Sequence, residues 1–362
     1  MRILYVTRKF PPSVGGMENV AAWLYEAFVP KATVTLIKFG GANKYLPFIY
    51  PWLLCRALFA GWRERPDIIY VQDGLMGPMG VMLRTLLRCP VVVTIHGTEM
   101  VYANPLYTKI VFPALRCLDG AAVISRATDE KAAEKLPGVP RRLIHWGIKD
   151  DIYIDEPRAV LRRRLGDALG ISLENRPTIC LVGRLIERKG AFWFVENIMP
   201  KLVEQVPDII CIVAGKGEEE ESMGAVIKRR GLGNNVYMVG YVLGENRRLL
   251  YNAADIFVMP NRKGFGFEGF GMVAIEASSC GTPVAAGAFS GVTDAVVDGK
   301  TGWLLPVDDV SAYVTRLKNE LQKPSLKRED IRATTLKEYD WDATADAYLA
   351  FFEKIVPNQP QK

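Results

Sequence analysis

The sequence predicts an α/β protein made of two doubly wound, parallel-sheet domains. Two observations predict it. Short β-branched runs alternate with amphipathic stretches along the whole chain, the pattern of parallel strands joined through crossover helices. The pattern occurs twice, on either side of a polar break between Lys149 and Thr178, and 362 residues suffice for two cores of ordinary size.

In the first half, strands are expected at residues 2–7, 33–38, 68–72, 91–95, 121–125 and 142–146. In the second half they are expected at 178–182, 209–214, 235–239, 255–259, 283–286 and 303–305. The break opens on Asp150, Asp151, Asp155 and Glu156. Pro157 suits the first turn of a helix over 159–169, which Gly170 ends. Candidate binding residues then fall where ligands of open α/β sheets sit, beyond the carboxyl ends of strands.

Hydrophobic residues make up 49% and charged residues 24%, as in ordinary globular proteins. No 18-residue run is free of charge and proline, so no spanning helix is expected. The first strand begins at Arg2, and no cleaved leader is expected before it. The six cysteines form no C-x-x-C; Cys180 and Cys211 lie in apolar runs, so reduced core thiols of a cytoplasmic protein are expected and no metal site. Residues 1–150 hold 19 Lys and Arg against 11 Asp and Glu, whereas the remainder holds 27 against 29. That field favours acidic lipid, a phosphate-bearing acceptor or nucleic acid, with plain charge scatter as the alternative. Residues 43–65 interleave Tyr45, Phe48, Tyr50, Trp52, Phe59 and Trp62 with Lys44, Arg56, Arg63 and Arg65. The stretch reads either as an interfacial helix at a membrane surface or as cover for the first sheet.

The most informative stretch is Glu268-Gly269-Phe270-Gly271-Met272-Val273-Ala274-Ile275-Glu276. Two carboxylates flank a Gly-Phe-Gly turn that opens a helix. The glycines permit close backbone approach, the free helix amides suit phosphate, and carboxylates accept hydrogen bonds from sugar hydroxyls. A ribose–diphosphate–sugar would satisfy every part.

This stretch resembles the E-x7-E motif of the family 4 retaining glycosyltransferases, which have the GT-B fold. The runs 255–260, 277–284 and 299–304 are similar to that family's C-terminal domain, and Val182-Gly183-Arg184-Leu185 with Lys189-Gly190 resembles its diphosphate-binding segment. The likeness spans nearly the whole chain. It implies two Rossmann-like domains facing a central cleft: an acceptor-side domain, 1–155, joined by a C-terminal helix in 344–362, and a nucleotide-sugar domain, 156–343. It implies no cofactor and no metal, the nucleotide-diphosphate sugar being a substrate.

The resemblance also assigns residues. Arg184 and Lys189 would neutralise the departing diphosphate, Glu276 would bind ribose and Glu268 the donor sugar. The amides at Phe270, Gly271 and Met272, with Gly183, would sit against the phosphates. Gly15 and Gly16 resemble the family's N-terminal glycine loop, and Glu18 and Asn19 would touch acceptor or cap a helix. His96, following a strand, would contact the transferred sugar. Tyr241 and Val242 match where the family's backbone meets the nucleobase; Tyr241 either stacks or is an ordinary turn tyrosine. Gly215-Lys216-Gly217 is a packing or ligand turn, and Glu220 breaks the dinucleotide fingerprint, which disfavours a nicotinamide oxidoreductase. Trp146 stands where the family usually has Asn, and neighbouring His145 reads as structural. Asp340-Trp341-Asp342 reads as a helix cap, not a metal motif.

The expected activity is retaining transfer of a sugar from a UDP- or GDP-sugar to a lipid-linked or glycan acceptor, in cell-envelope synthesis. The expected place is the cytoplasm, at the inner face of the membrane, with peripheral contact through the basic half and no nucleic acid. The alternatives are a sugar synthase or phosphorylase of the same fold and a non-catalytic sugar-nucleotide-binding subunit.

Overall fold

The computed structural model describes residues 1–356 except Val14, Ala42 and the side chain of Asn43. Among the described residues, twelve strands form two six-stranded parallel sheets. The chain divides into two compact units, Met1–Lys149 with the chain from Tyr339 onward, and Asp150–Glu338. The expected boundary at 155 and the return at 344 therefore fall within Asp150–Glu338 and after Tyr339 respectively. The return is anchored where the Ile148 N–H donates to the Tyr339 carbonyl at 2.8 Å. Residues 357–362 of the expected terminal helix lie outside the described residues.

The first unit holds β1 Arg2–Thr7, β2 Thr33–Lys38, β3 Ile68–Val71, β4 Val91–Ile95, β5 Gly120–Val123 and β6 Arg141–Leu143, in the order β2-β1-β3-β4-β5-β6. Its helices are α1 Gly16–Phe28, α2 Leu46–Glu64, α3 Gly77–Leu87, α4 Pro105–Arg116 and α5 Arg126–Lys135. The central strands β3, β4 and β5 are buried at every position, which is why they read as apolar runs broken only by Thr94 of β4. Strand β6 stops at Leu143, short of the expected 146, and Trp146 turns inward to pack on His96.

The second unit holds β7 Thr178–Val182, β8 Ile210–Ala214, β9 Val236–Gly240, β10 Ile256–Met259, β11 Val284–Gly287 and β12 Gly302–Leu305, ordered β12-β11-β10-β7-β8-β9. Its helices are α6 Arg158–Leu169, α7 Ala191–Asn197, α8 Met199–Gln205, α9 Glu220–Arg229, α10 Gly244–Ala253, α11 Met272–Ser279, α12 Val310–Gln322 and α13 Arg328–Glu338. One core lies under α7, α8, α9 and α12, built on Phe194, Met199, Ile212's neighbours Cys211 and Val213, and Leu317. The last helix, α14 Trp341–Ile355, belongs to the first unit. Asp340 caps it, its carboxylate accepting the Ala343 N–H at 2.7 Å. In each sheet the strand order reverses beside the first strand, between β1 and β3 and between β7 and β10. Crevices of this kind are where doubly wound sheets take ligands.

Candidate functional site

In the second unit the reversal is crowded with chemistry. β7 and β10 pair in parallel, and beyond their carboxyl ends Gly183, Arg184 and Lys189 line one small cavity with Met259 and Pro260. Arg184 is exposed and makes no ion pair among the described residues. Lys189 ends a 3-10 turn, Glu187–Lys189, and its ammonium lies 2.7 Å from the Glu268 carboxylate. Arg188 reaches the same oxygen at 2.6 Å and also donates to the Phe267 carbonyl at 2.8 Å. Asn261 adds a longer contact at 3.4 Å. Burial by itself would raise the Glu268 pKa; Lys189 and Arg188 outweigh it and hold the carboxyl below its ordinary value.

Glu276 sits one turn into α11 and is buried. Its carboxylate accepts the Tyr251 hydroxyl at 2.8 Å and faces Arg247 at 3.6 Å. Burial raises its pKa, and these two partners only partly oppose that. The two carboxylates of the motif are thus held in opposite ways, one between two cations and the other in a sparsely paired pocket.

Between them α11 begins without a side-chain cap, after Gly271 at φ 113°. That φ favours glycine, and a Cβ there would also press on Met259 and Ala295. The first helix amides are left for an anion. Phe270 is buried, its ring packed into the unit rather than turned toward solvent. Met272 is half-buried at the helix start. The turn is held from behind: Gly291 N–H and the Ser290 hydroxyl both donate to the Glu268 carbonyl, at 2.9 and 2.8 Å.

The Gly215–Gly217 turn has a packing role here. A Cβ on Gly215 would overlap the Gly183 carbonyl, and one on Gly217 the Leu185 carbonyl. Gly183 and Leu185 also donate to Ala214 and Lys216, so this turn buttresses the loop that carries Arg184. At the end of β9, Tyr241 is 64% exposed with its ring open to a stacking partner, while Val242 is buried.

In the first unit, Gly15 and Gly16 open α1 after β1, but no side chain caps that helix. Glu18 is buried and pairs with Lys9 at 2.9 Å, so it does not cap. Arg8, after β1, meets Asp73, after β3, at 2.9 Å. His96 follows β4 and is buried. Its Nε2 lies 2.6 Å from the Gln72 carbonyl, and a carbonyl only accepts, so Nε2 carries the hydrogen. Nδ1 is buried and without a hydrogen-bond partner among the described residues, and in the neutral ring it is the acceptor. Trp146 walls the ring at 5.2 Å between centroids. The Glu99 carboxylate accepts the His96 N–H at 2.7 Å and fixes the loop. His145, by contrast, lends its carbonyl to the Thr344 hydroxyl at 3.1 Å, a structural use.

Comparison with known proteins matches both units. Residues 170–337 match the family described as glycosyl transferases group 1, and residues 15–146 match the glycosyl transferase 4-like domain. The chain belongs to the group 1 glycosyltransferases. Among its relatives, a GDP-mannose-dependent alpha-(1-6)-phosphatidylinositol monomannoside mannosyltransferase of Mycolicibacterium smegmatis is 28% identical over 356 residues, 89% of this chain and 90% of that one. A D-inositol 3-phosphate glycosyltransferase of Mycolicibacterium paratuberculosis is 27% identical over 80% of this chain and 67% of its own. Among solved structures, Anabaena HepE in complex with UDP superposes with a TM-score of 0.78 at 19% identity, covering 98% of this chain and all (100%) of that one. Sucrose-phosphate synthase from Thermosynechococcus elongatus gives 0.77 at 20% identity, over 98% and 99% of the two chains. These likenesses establish the GT-B fold.

For this glycosyltransferase, reading the sequence passed over one residue of the cluster around Glu268. Arg188 receives no role from the sequence, yet its guanidinium clamps Glu268. The signal was present as two adjacent cations after a glycine-bounded strand end, but nothing in the spacing told which of them would turn inward. Trp146 is the second case: its replacement of Asn marks the residue that packs on His96.

Proposed function

We propose that this glycosyltransferase retains anomeric configuration and takes its sugar from a nucleotide diphosphate held at the β7–β10 reversal. One observation carries the reading. Glu268, Lys189 and Arg188 form a charge cluster beside an uncapped helix start, and Arg184, without an ion pair among the described residues, lines one cavity with Lys189. Lys189 spends one of its three N–H groups on Glu268 and keeps the others for phosphate. Arg184, Lys189 and the Gly271–Met272 amides would take up the charge of the leaving diphosphate. Glu276 would accept ribose hydroxyls, Glu268 would orient the sugar, and Tyr241 would stack on the base. The relative named for GDP-mannose and the neighbouring structure solved with UDP support a UDP- or GDP-sugar.

In the proposed step the bond from C1 to the diphosphate oxygen breaks while the acceptor oxygen bonds to the same face of C1. The acceptor's proton passes to a diphosphate oxygen, so no protein nucleophile is used. The His96 Nδ1 lone pair would accept from a sugar hydroxyl. No metal takes part in this scheme, and activity should survive a chelator. The acceptor is taken to be a lipid-linked or cell-envelope glycan, on the inner face of the cytoplasmic membrane.

A thermal-shift panel of nucleotide sugars tests the reading, because binding to the native state raises its melting temperature. The true donor should stand out, Glu276→Ala should bind it roughly tenfold or more weakly, and His96→Ala should lower kcat with little change in donor KM. A panel in which no nucleotide sugar stabilises the protein would overturn it. Donor hydrolysis without acceptor would exclude the non-catalytic alternative.

A further inference from the structure

The longest apolar helix of the first unit is covered on one side only. α2 buries Leu53, Ala57 and Gly61 against its own sheet and α3, and Gly61 approaches so closely that a Cβ would meet the Leu87 side chain. The other side presents Phe48, Trp52, Cys55, Phe59 and Trp62, spaced by four, three, four and three residues, a continuous helical stripe. Phe48 is 79% exposed, Phe59 64% and Trp62 77%. The stripe continues onto α3, where Leu86 lines one groove with Trp62, Arg65 and Arg88, and exposed Met82 lies one turn before it. The expectation that 43–65 either covers the sheet or lies on a membrane thus divides by face: the inner residues cover, the outer ones do not.

Charge decides the occupant. Between Lys44 and Arg65 the helix carries Arg56 and Arg63 along the stripe, and its only acid is Glu64, already beside Arg63 at 3.3 Å. Arg56 lies over the Trp52 ring at 5.0 Å and Lys44 over Tyr45 at 5.1 Å, the pairing of an aromatic body with a cationic tip. A second copy docked on this face by a two-fold axis would set these cations against one another. A crossing helix is excluded for the described residues, none of which form a helix long and apolar enough. Apolar rings that sink to the headgroup level, flanked by cations, match a bilayer of anionic lipid.

We propose that the outer face of α2, continued by Met82 and Leu86 of α3, seats this unit on an anionic membrane surface. The seat is independent of the donor chemistry. The test uses the full chain and co-sedimentation with vesicles of phosphatidylcholine alone or mixed with phosphatidylglycerol. The wild-type chain should sediment with the anionic vesicles and far less with the neutral ones. Phe59→Asp with Trp62→Asp should weaken that binding at least roughly tenfold, and Arg56→Glu with Arg63→Glu should do so at low salt but less at high salt. Both pairs should keep the wild-type melting temperature within a few degrees and the same stabilisation by donor nucleotide, which separates this result from any failure of the donor site. Wild-type protein that stays in the supernatant, or variants that sediment unchanged, would overturn the proposal. So would a wild-type dimer in lipid-free buffer that the aspartate pair converts to monomer, since the face would then belong to a second copy.

Discussion

At the scale of single residues, Arg188 is the sharpest case. It holds a carboxylate that two cations share, so its loss leaves Lys189 as the one cation on buried Glu268 among the described residues. The direction follows from the pKa. Glu268 titrates below its ordinary value in the folded protein, so its contribution to stability is present above the ordinary carboxylate range and is lost as pH falls through the folded value. Without Arg188 that folded value rises, and the loss should begin at a higher pH. Arg188→Ala should therefore move the acid limb of donor kcat/KM upward and cut the plateau about tenfold, equivalent to ~1.4 kcal/mol. Arg188→Lys should restore most of the limb, since it returns the charge, but less of the plateau, since a shorter, mobile ammonium replaces the planar guanidinium whose Nη1 reaches both Glu268 and Phe267. A pH profile unchanged in the alanine variant would show that Arg188 only packs. The residue escaped sequence reading because charge type was visible but direction was not. Glu268, Glu276, Arg184 and Lys189 were legible through their place in a motif, whereas the partners they hold come from Arg188, Tyr251 and Arg247, which are scattered over separate elements.

At the scale of elements, legibility followed burial. Strands such as β4 and β8, covered on both faces, are apolar runs in the sequence, broken only by Thr94 of β4, and their expected bounds fall within a residue of those observed. β6 is the outlier, because its residues are half-buried or exposed and Trp146, expected to end it, packs on His96 instead. The turn before α11 shows a constraint that no hydrophobic pattern carries. Gly291 lies so near the Glu268–Gly269 backbone that an added Cβ would overlap the Gly269 carbonyl, and backbone atoms cannot swing aside as a side-chain tip can. Gly291→Ala should push the motif turn away from β10, cost about 1–3 kcal/mol of stability and weaken donor binding. Gly224→Ala is the control. Gly224 lies inside α9 with nothing within 4 Å of a new Cβ, so the change should add about 0.5–1 kcal/mol. Urea unfolding of both variants, with donor titrations, checks the contrast; equal effects would mean that Gly291 has slack around it.

At the scale of the whole molecule, the two units differ in how the chain builds them. Asp150–Glu338 is one continuous segment with its own core, whereas the first unit needs the chain to come back at Tyr339. The alternation of strands and helices showed both units in the sequence. The return did not follow from spacing, since an apolar face on a terminal helix names no partner. The structure supplies the partner. Tyr348 and Phe352 of α14 join Tyr5, Phe28 and Tyr70 in one aromatic cluster, with Tyr70 to Phe352 at 5.7 Å and Phe28 to Tyr348 at 5.8 Å between centroids. The cluster contains a buried polar chain in which Thr94 meets the Tyr70 hydroxyl at 2.6 Å and that of Tyr348 at 2.8 Å. Phe352 is fully buried, so Phe352→Ala removes a ring from a packed interior, a change that costs about 3–5 kcal/mol. That cost should fall on one unit. Hydrogen exchange followed by mass spectrometry should show peptides spanning β1, β3 and β4 losing protection, while those spanning β7, β8 and β10 keep theirs. Equal loss in both sets would mean that the terminal helix stabilises the chain as a single cooperative body, and the division into an interrupted unit and a continuous one would carry no energetic meaning.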